Sequence, residues 1–248
     1  MPIRITDLVR GMADAKRSRA PVAITAAGAL AIYVFLELAE EIDQGELAGI
    51  DRALLLALRN PADANDPLGP PWLERTVADI TTLGGYPVLV SLVAVVVGYL
   101  LVVRRFGPAL FVFLSTWLGT LVSQIMKQVY DRPRPDVVEH LVSYQTASFP
   151  SGHATMSTVV YLTLASLIAR LVDDWRVRAY VLSIAIVLSL VVGISRVYLG
   201  VHWPSDVAAG WALGAAWASL AWLVVSALRV FRHRQAGRTI HRHGVHHN

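Results

Sequence analysis

Cysteine is absent from all 248 residues, which excludes disulfides, thiolate metal sites and a cysteine nucleophile. Charge is also scarce. Asp, Glu, Lys and Arg make up 16% of the chain, where an ordinary soluble domain carries about a quarter. The balance is basic, with a formal net charge of +4. The basic stretches, however, lack the aromatic interleaving and the fold motifs of a nucleic-acid binder, so no nucleic-acid partner is expected. The tail "RHRQAGRTIHRHGVHHN" is rich in histidine. It reads as a solvated terminus rather than a built metal site.

Apolar residues fill the space that charge leaves. They make up 55% of the sequence, and the mean hydropathy is +0.51. They fall in six blocks, at 20–36, 84–103, 107–126, 154–172, 180–194 with an extension to 199, and 207–228. Blocks near 20 residues match the hydrocarbon thickness of a bilayer, and a backbone in lipid must satisfy its own hydrogen bonds as helix. The alternative, six buried helices of a soluble protein, leaves too little polar sequence to cover a core. The predicted fold is therefore all-α, a six-transmembrane helical bundle. It divides into an N-terminal segment 1–19, a membrane domain 20–228 and a basic, histidine-rich tail 229–248. The first block follows Lys16, Arg17 and Arg19 as a signal peptide would. Its apolar run exceeds the usual h-region of about 7–15 residues and no small-x-small cleavage site follows, so it is read as an anchor.

The connection 40–83 is long and patterned. "IDRALLLALRNP" carries a short apolar stripe ended by Pro61, and "PPWLERTVADITTLGG" opens on prolines and closes on Gly84 and Gly85. Both read as short helices at the membrane interface or as a structured connector. With the N-terminus inside, 15 of the 22 lysines and arginines fall in inside segments. The bias places both termini in the cytoplasm of a multi-pass inner (plasma) membrane protein.

Against this background three polar groups stand out: "KQVYDRPRPD" after the third block, "SFPSGHAT" before the fourth, and "GISRVYLGVHWPSD" between the fifth and sixth. Parity puts all three on one membrane face, which the charge bias makes extracytoplasmic. Lys127, Arg132, Arg134 and Arg196 would converge there and favour an anion, since arginine forks match phosphate oxygens. Ser151, Gly152 and His153 open a helix whose free N–H groups and dipole favour the same ligand. His202 and Asp206 are four apart, so the carboxylate can hold one imidazole nitrogen and leave the other nucleophilic. His153 can give a proton to a leaving oxygen. The set reads as phosphoryl transfer through a phosphohistidine. His-x3-Asp also fits metal-ligand spacing, but the surrounding cations oppose a divalent ion. Taken singly, Ser151 also reads as a helix cap, Asp206 as a dipole partner, and the cations as ordinary interfacial residues.

In order, Lys-x6-Arg-Pro, "PSGH" and Ser-Arg-x5-His-x3-Asp resemble the three signature motifs of the type 2 phosphatidic acid phosphatase superfamily. The resemblance covers roughly 20–228. It implies a membrane lipid phosphate phosphatase without a metal cofactor. Carried over by motif, phosphate is bound by Lys127, Arg134, Ser151, Gly152 and Arg196. His202 is the nucleophile, Asp206 its partner and His153 the general acid. Arg132 lies outside the strict spacing and is an additional candidate. As a further cation for a second phosphate it leans the substrate toward undecaprenyl pyrophosphate, ahead of phosphatidylglycerophosphate or phosphatidic acid. The partners expected are that lipid substrate and the surrounding membrane lipids. A vanadate-dependent oxidase and a non-catalytic lipid carrier are the other classes. The membrane body argues against the first and the complete His-His-Asp set against the second.

Because the chain has no cysteine, its orientation can be tested directly. A cysteine introduced within 136–147 is expected to react with an impermeant thiol reagent from outside, and one within 173–175 to stay unlabelled. The reverse pattern would put the chemistry in the cytoplasm.

Overall fold

The structure, a computed structural model, describes the backbone of residues 5–136 and 147–243, and the side chains of 21–136, 147–229 and 231. Residues 137–146 of the labelling segment therefore lie outside the described residues. So do most side chains of the expected terminal segments 1–19 and 229–248, of which helical backbone is described from residue 5 and up to residue 243.

Each long apolar block is a helix. The elements are α1 (Ile5–Asp43), α2 (Ala48–Leu56), β1 (Arg59–Asn60), β2 (Asp63–Pro67), α3 (Pro71–Thr81), α4 (Tyr86–Val102), α5 (Phe106–Tyr130), α6 (Gly152–Leu171), α7 (Trp175–Tyr198) and α8 (Pro204–His243). Among the described residues five helices are long and apolar enough to cross a bilayer: Pro21–Asp43, Phe106–Tyr130, Gly152–Leu171, Trp175–Tyr198 and Pro204–Arg229. The block expected at 84–103 is α4, 17 residues long. It passes the same test together with Pro71–Gly84, to which it is joined by a bend of 44°. Gly85, extended, makes that bend, and Pro87 in the first turn of α4 gives up an N–H that the helix start would leave unpaired anyway. The short antiparallel pair β1–β2 in the first connection was not foreseen.

The bundle is built around α6. Helices α5, α7 and α8 pack on it, α1 lies on α8, α4 on α5, and α3 against the end of α7. The interior is small and hydroxyl-rich: Ser115, Thr116, Ser123, Thr155, Ser157, Thr158, Thr163 and Ser189 are buried. Most of these hydroxyls bond helix carbonyls, as Thr155 does to Ser151 O and Thr158 to Ala154 O. Others cross between helices: Ser115 meets Thr163 at 3.0 Å, and the Trp217 and Trp211 indoles donate to Ser115 O and Ser189 O. Large apolar side chains point outward instead, including Val95, Tyr99, Val102, Leu110, Trp117 and Ile186. Small residues inside with large ones outside is the pattern of helices packing in lipid, where close approach replaces the hydrophobic drive between helices.

Two glycines set the end of the bundle that carries the polar motifs. Gly200, at φ +72°, ends α7. Its N–H bonds Val197 O and that of Val201 bonds Arg196 O, a Schellman closure that turns the chain back toward α8. Gly210 lets α8 approach the start of α6. A Cβ there would lie 2.9 Å from both Ser151 O and the Ala154 Cβ.

Gly210→Ala is therefore expected to destabilise the protein by about 1–3 kcal/mol, the range for overpacking a tight contact. Gly98→Ala, which meets nothing within 4 Å, should leave stability unchanged or slightly higher. Thermal unfolding in detergent checks the pair, and equal midpoints would show that the α6–α8 approach is not tight.

Candidate active site

All three polar motifs come to one end of the bundle. The α5 helix stops at Tyr130 because Asp131 takes a left-handed conformation (φ +33°) and Pro133 cannot continue it. The chain returns to open α6 at Gly152. Ser151 N–H bonds Asp206 O at 3.0 Å, which fastens the start of α6 to the start of α8.

His202 sits in the turn between α7 and α8 and is 2% exposed. Its Nε2 lies 3.4 Å from Arg134 Nη1. A guanidinium can only donate, so Nε2 is the bare nitrogen and the proton sits on Nδ1. Nδ1 faces Asp206 Oδ2 at 3.5 Å and the Ser148 hydroxyl at 3.3 Å. Burial pushes the His202 imidazolium down to about 4, against the pull of Asp206; Arg134 and Arg196 push it the same way as burial. The ring is therefore neutral at ordinary pH, with a lone pair beside the cations.

The Asp206 carboxylate is fully buried. It accepts from Arg132 Nη1 at 2.6 Å, from Trp203 N–H at 3.0 Å and from the Ser148 hydroxyl. Arg132 turns its other nitrogen, Nη2, to Asp51 at 2.8 Å, and Asp51 also accepts from the backbone and hydroxyl of Ser205. This alters the meaning of Arg132. It is bound between two carboxylates rather than presented to a ligand, so the argument for a second phosphate loses the cation on which it rested.

The other candidates surround the same point. Lys127 Nζ donates to Ala147 O at 2.6 Å and forms no ion pair among the described residues. Its Cε lies 3.6 Å from where a Cβ on Gly152 would stand, so the lysine reaches the first turn of α6. Arg134 also donates to Val201 O, and Arg196 Nη1 bonds the Thr81 hydroxyl at 3.1 Å. Ser151 is fully buried, and its hydroxyl neither caps α6 nor finds a partner among the described residues. An unsatisfied buried hydroxyl costs about 1–3 kcal/mol, and a ligand oxygen would relieve it. The cap reading of Ser151 is thereby set aside. His153 is half-buried one residue into α6, and none of the described hydrogen bonds uses its ring. Among the described residues no three His, Asp or Glu side chains gather at metal-ligating distance.

Beside this polar end lies an apolar groove of about 430 Å³ between α4, α5 and α6, lined by Tyr86, Val93, Thr116, Thr120, Met156 and Val160, among others. Met156 is three residues after His153, on the same face of α6. The groove therefore comes within one helical turn of His153.

Sequence reading missed Ser148 and Asp51. Ser148 stands two residues before "PSGH" and has no spacing rule of its own. Asp51 did leave a signal: it shares a stripe of α2 with Leu55 four residues on, and both are buried. A carboxylate on the apolar side of a short amphipathic helix calls for a buried partner.

The family model of the PAP2 superfamily matches residues 108–229. Phosphatidylglycerophosphatase B of Bacillus subtilis (strain 168) is 35% identical over 145 residues, 58% of this chain and 71% of the relative. A decaprenylphosphoryl-5-phosphoribose phosphatase of Mycobacterium tuberculosis is 33% identical over 127 residues, 50% of this chain and 65% of the relative. The crystal structure of a transmembrane PAP2-type phosphatidylglycerolphosphate phosphatase from Bacillus subtilis superposes with a TM-score of 0.70 at 30% identity, covering 78% of this chain and 93% of that one.

Labelled-histidine NMR is expected to find His202 neutral at pH 7 and titrating near pH 4. Between about 6.5 and 4 the unfolded chain binds a proton that the native ring refuses, so this histidine lowers stability as pH falls through that window. A titration at the ordinary histidine value would mean the ring is solvated or more strongly held by Asp206.

Proposed function

The chain belongs to the PAP2 superfamily and is a membrane phosphatase of lipid phosphates; on that premise we propose that it cleaves a phosphomonoester headgroup through a phosphohistidine on His202. The observation that carries this reading is the bare Nε2 of His202 beside Arg134, under a helix N-terminus with a buried Ser151 hydroxyl that has no partner among the described residues.

In the first step the Nε2 lone pair forms an N–P bond as the P–O bond to the lipid breaks. The leaving oxygen takes a proton from His153. A phosphate dianion in the pocket favours protonated His153 by simple attraction. Lys127, Arg134, Arg196, the Ser151 hydroxyl and the first N–H groups of α6 hold the equatorial oxygens, where charge accumulates in the transition state. The Nδ1 proton stays toward Asp206, whose charge stabilises the positive ring. In the second step water attacks phosphorus, His153 takes the water's proton, and the N–P bond breaks to release phosphate. No metal enters either step.

The apolar groove ending at Met156 suits one hydrocarbon chain of the substrate, with the headgroup reaching the polar end. With Arg132 committed to Asp51 and Asp206, a single phosphate is favoured over a diphosphate. Phosphatidylglycerophosphate, the substrate named both for a relative and for a solved structure from Bacillus subtilis, is the first lipid to test. We further propose that the polar end is extracytoplasmic and the termini cytoplasmic, in an inner (plasma) membrane. The distribution of basic residues supports this.

The test compares phosphatidylglycerophosphate, phosphatidic acid and undecaprenyl pyrophosphate on purified protein in EDTA. The first is expected to have the highest kcat/KM, and preference for the pyrophosphate would overturn the single-phosphate reading. Activity lost to EDTA and restored by Mg²⁺ would overturn the metal-free mechanism. On the preferred lipid, His153→Ala should lose about 10²–10⁴-fold, the usual worth of general acid help. On a nitrophenyl phosphate, whose leaving group departs unprotonated, it should lose far less. His202→Ala should be inactive on both, and equal losses for His153→Ala on the two substrates would remove it as the acid.

A further inference from the structure

The connection between α1 and α4 reaches into the active site through one side chain. Asp51, on α2, is 2% exposed and lies 81 residues before Arg132 and 155 before Asp206 in the chain. Its Oδ1 accepts from Ser205 N–H at 2.9 Å, and its Oδ2 accepts from the Ser205 hydroxyl and from Arg132 Nη2 at 2.8 Å. Arg132 Nη1 in turn donates to Asp206 Oδ1 at 2.6 Å and to the Ser205 hydroxyl at 2.8 Å. The guanidinium thus bridges two carboxylates, only one of which faces the histidine.

We propose that Asp51 is a positioning residue for phosphoryl transfer: it fixes and neutralises Arg132, so that the Asp206 carboxylate stays oriented on His202 and its charge stays available to the ring. The inference rests on His202 as nucleophile. When Nε2 bonds phosphorus, its lone pair is committed and the ring becomes positive, with the proton retained on Nδ1. Asp206 is the carboxylate that meets this charge. Arg132 alone would oppose it, because a guanidinium 2.6 Å from Asp206 draws the carboxylate's charge to itself in a medium of low dielectric. With Asp51 on its far side the triad carries one net negative charge rather than none. The geometry points the same way: an arginine held at one nitrogen can swing, whereas one held at both fixes the Asp206 rotamer. Asp51 touches neither His202 nor the anion pocket in any described contact, so it works only through Arg132 and Ser205.

The experiment is a double-mutant cycle with nitrophenyl phosphate, rates being expressed per vanadate-binding site so that misfolded protein does not count. Asp51→Asn keeps the size of the side chain and removes its charge. It should lower kcat by about tenfold, within the coupling range of residues in one hydrogen-bond network, with KM changed less than twofold. In an Arg132→Gln background, where no guanidinium is left to neutralise, adding Asp51→Asn should cost less than twofold. Asp51→Glu, which keeps the charge, should recover part of the loss. Losses that multiply across the cycle, a change confined to KM, or an unaltered kcat in Asp51→Asn would each overturn the proposal. If Asp51→Asn alone does not accumulate as folded protein, the Arg132→Gln protein with and without Asp51→Asn carries the test: equal kcat supports it and a further tenfold loss overturns it. His202→Ala that remains active would instead mark failure of the nucleophile assignment.

Discussion

A carboxylate with no exposed surface, Asp206, governs the polar end of this bundle. Removing an ionised carboxylate from water costs several kcal/mol even after relaxation, and only a full set of donors offsets it. Those donors come from separate parts of the chain: Arg132 after α5, Ser148 before α6 and the Trp203 N–H before α8. Its own backbone carbonyl takes the Ser151 N–H. Satisfying one buried charge therefore draws both ends of the α5–α6 connection and the α7–α8 turn to a common point, which the proposed anion pocket shares. Taking away one partner of such a buried pair costs about 3–5 kcal/mol, because the other charge is left uncompensated. On the proposed mechanism, stability and catalysis depend on the same contacts.

That arrangement is possible because the rest of the bundle makes few demands. Helices α5 to α8 meet through Ser, Thr, Ala and Gly, which allow α8 to approach α6 closely at Gly210 and Gly214. Most hydroxyls inside return their protons to helix carbonyls, and the large side chains outside meet lipid. The far end shows how an isolated charge is handled without a site. Arg170 lies over the Phe111 and Trp222 rings and donates to Trp222 O and Ser226. It is a cation held by aromatic faces and neutral acceptors, with its stem along the apolar surface.

What could be read from the sequence follows from what is local. Apolar runs report helices because lipid thickness fixes their length, and parity assigns motifs to one face whatever the packing. The helix α6 was expected at 154–172 and spans Gly152–Leu171. The His202–Asp206 pair was legible from its four-residue spacing, although His202 lies in the turn before α8 rather than on the helix. The partners of Arg132 were not, since its contact with Asp51 spans 81 residues and no periodicity records a pairing at that range. A guanidinium bound by carboxylates and one waiting for phosphate look the same in a motif. Ser151 was ambiguous for a related reason: cap and ligand contact are alternative uses of one hydroxyl, and only its geometry separates them. The bend before α4 was hidden because it depends on how α3 packs on α7, and the β1–β2 pair, though local, lacks the apolar alternation that marks strands.

That connection deserves its place in the mechanism. It lies outside the region matched by the family model, 108–229, yet it makes four ties to the reacting end. Asp51 holds Arg132 and Ser205. Arg59, buried, donates to Tyr198 O, the last residue of α7, where a cation complements the helix dipole. Burial lowers its proton affinity, but an arginine remains charged at any working pH. Thr81 meets Arg196, and Leu68 O accepts from the Tyr198 hydroxyl. Three of these ties fall on the last turn of α7 or on the side chain of Arg196 within it, so the connection fixes the helix end from which the Gly200 turn presents His202. In this chain a segment outside the region matched by the family model thus braces the end of the bundle that carries the motifs. On the proposed mechanism, a change in how α2 and α3 pack would be felt at phosphorus without altering a group that touches it.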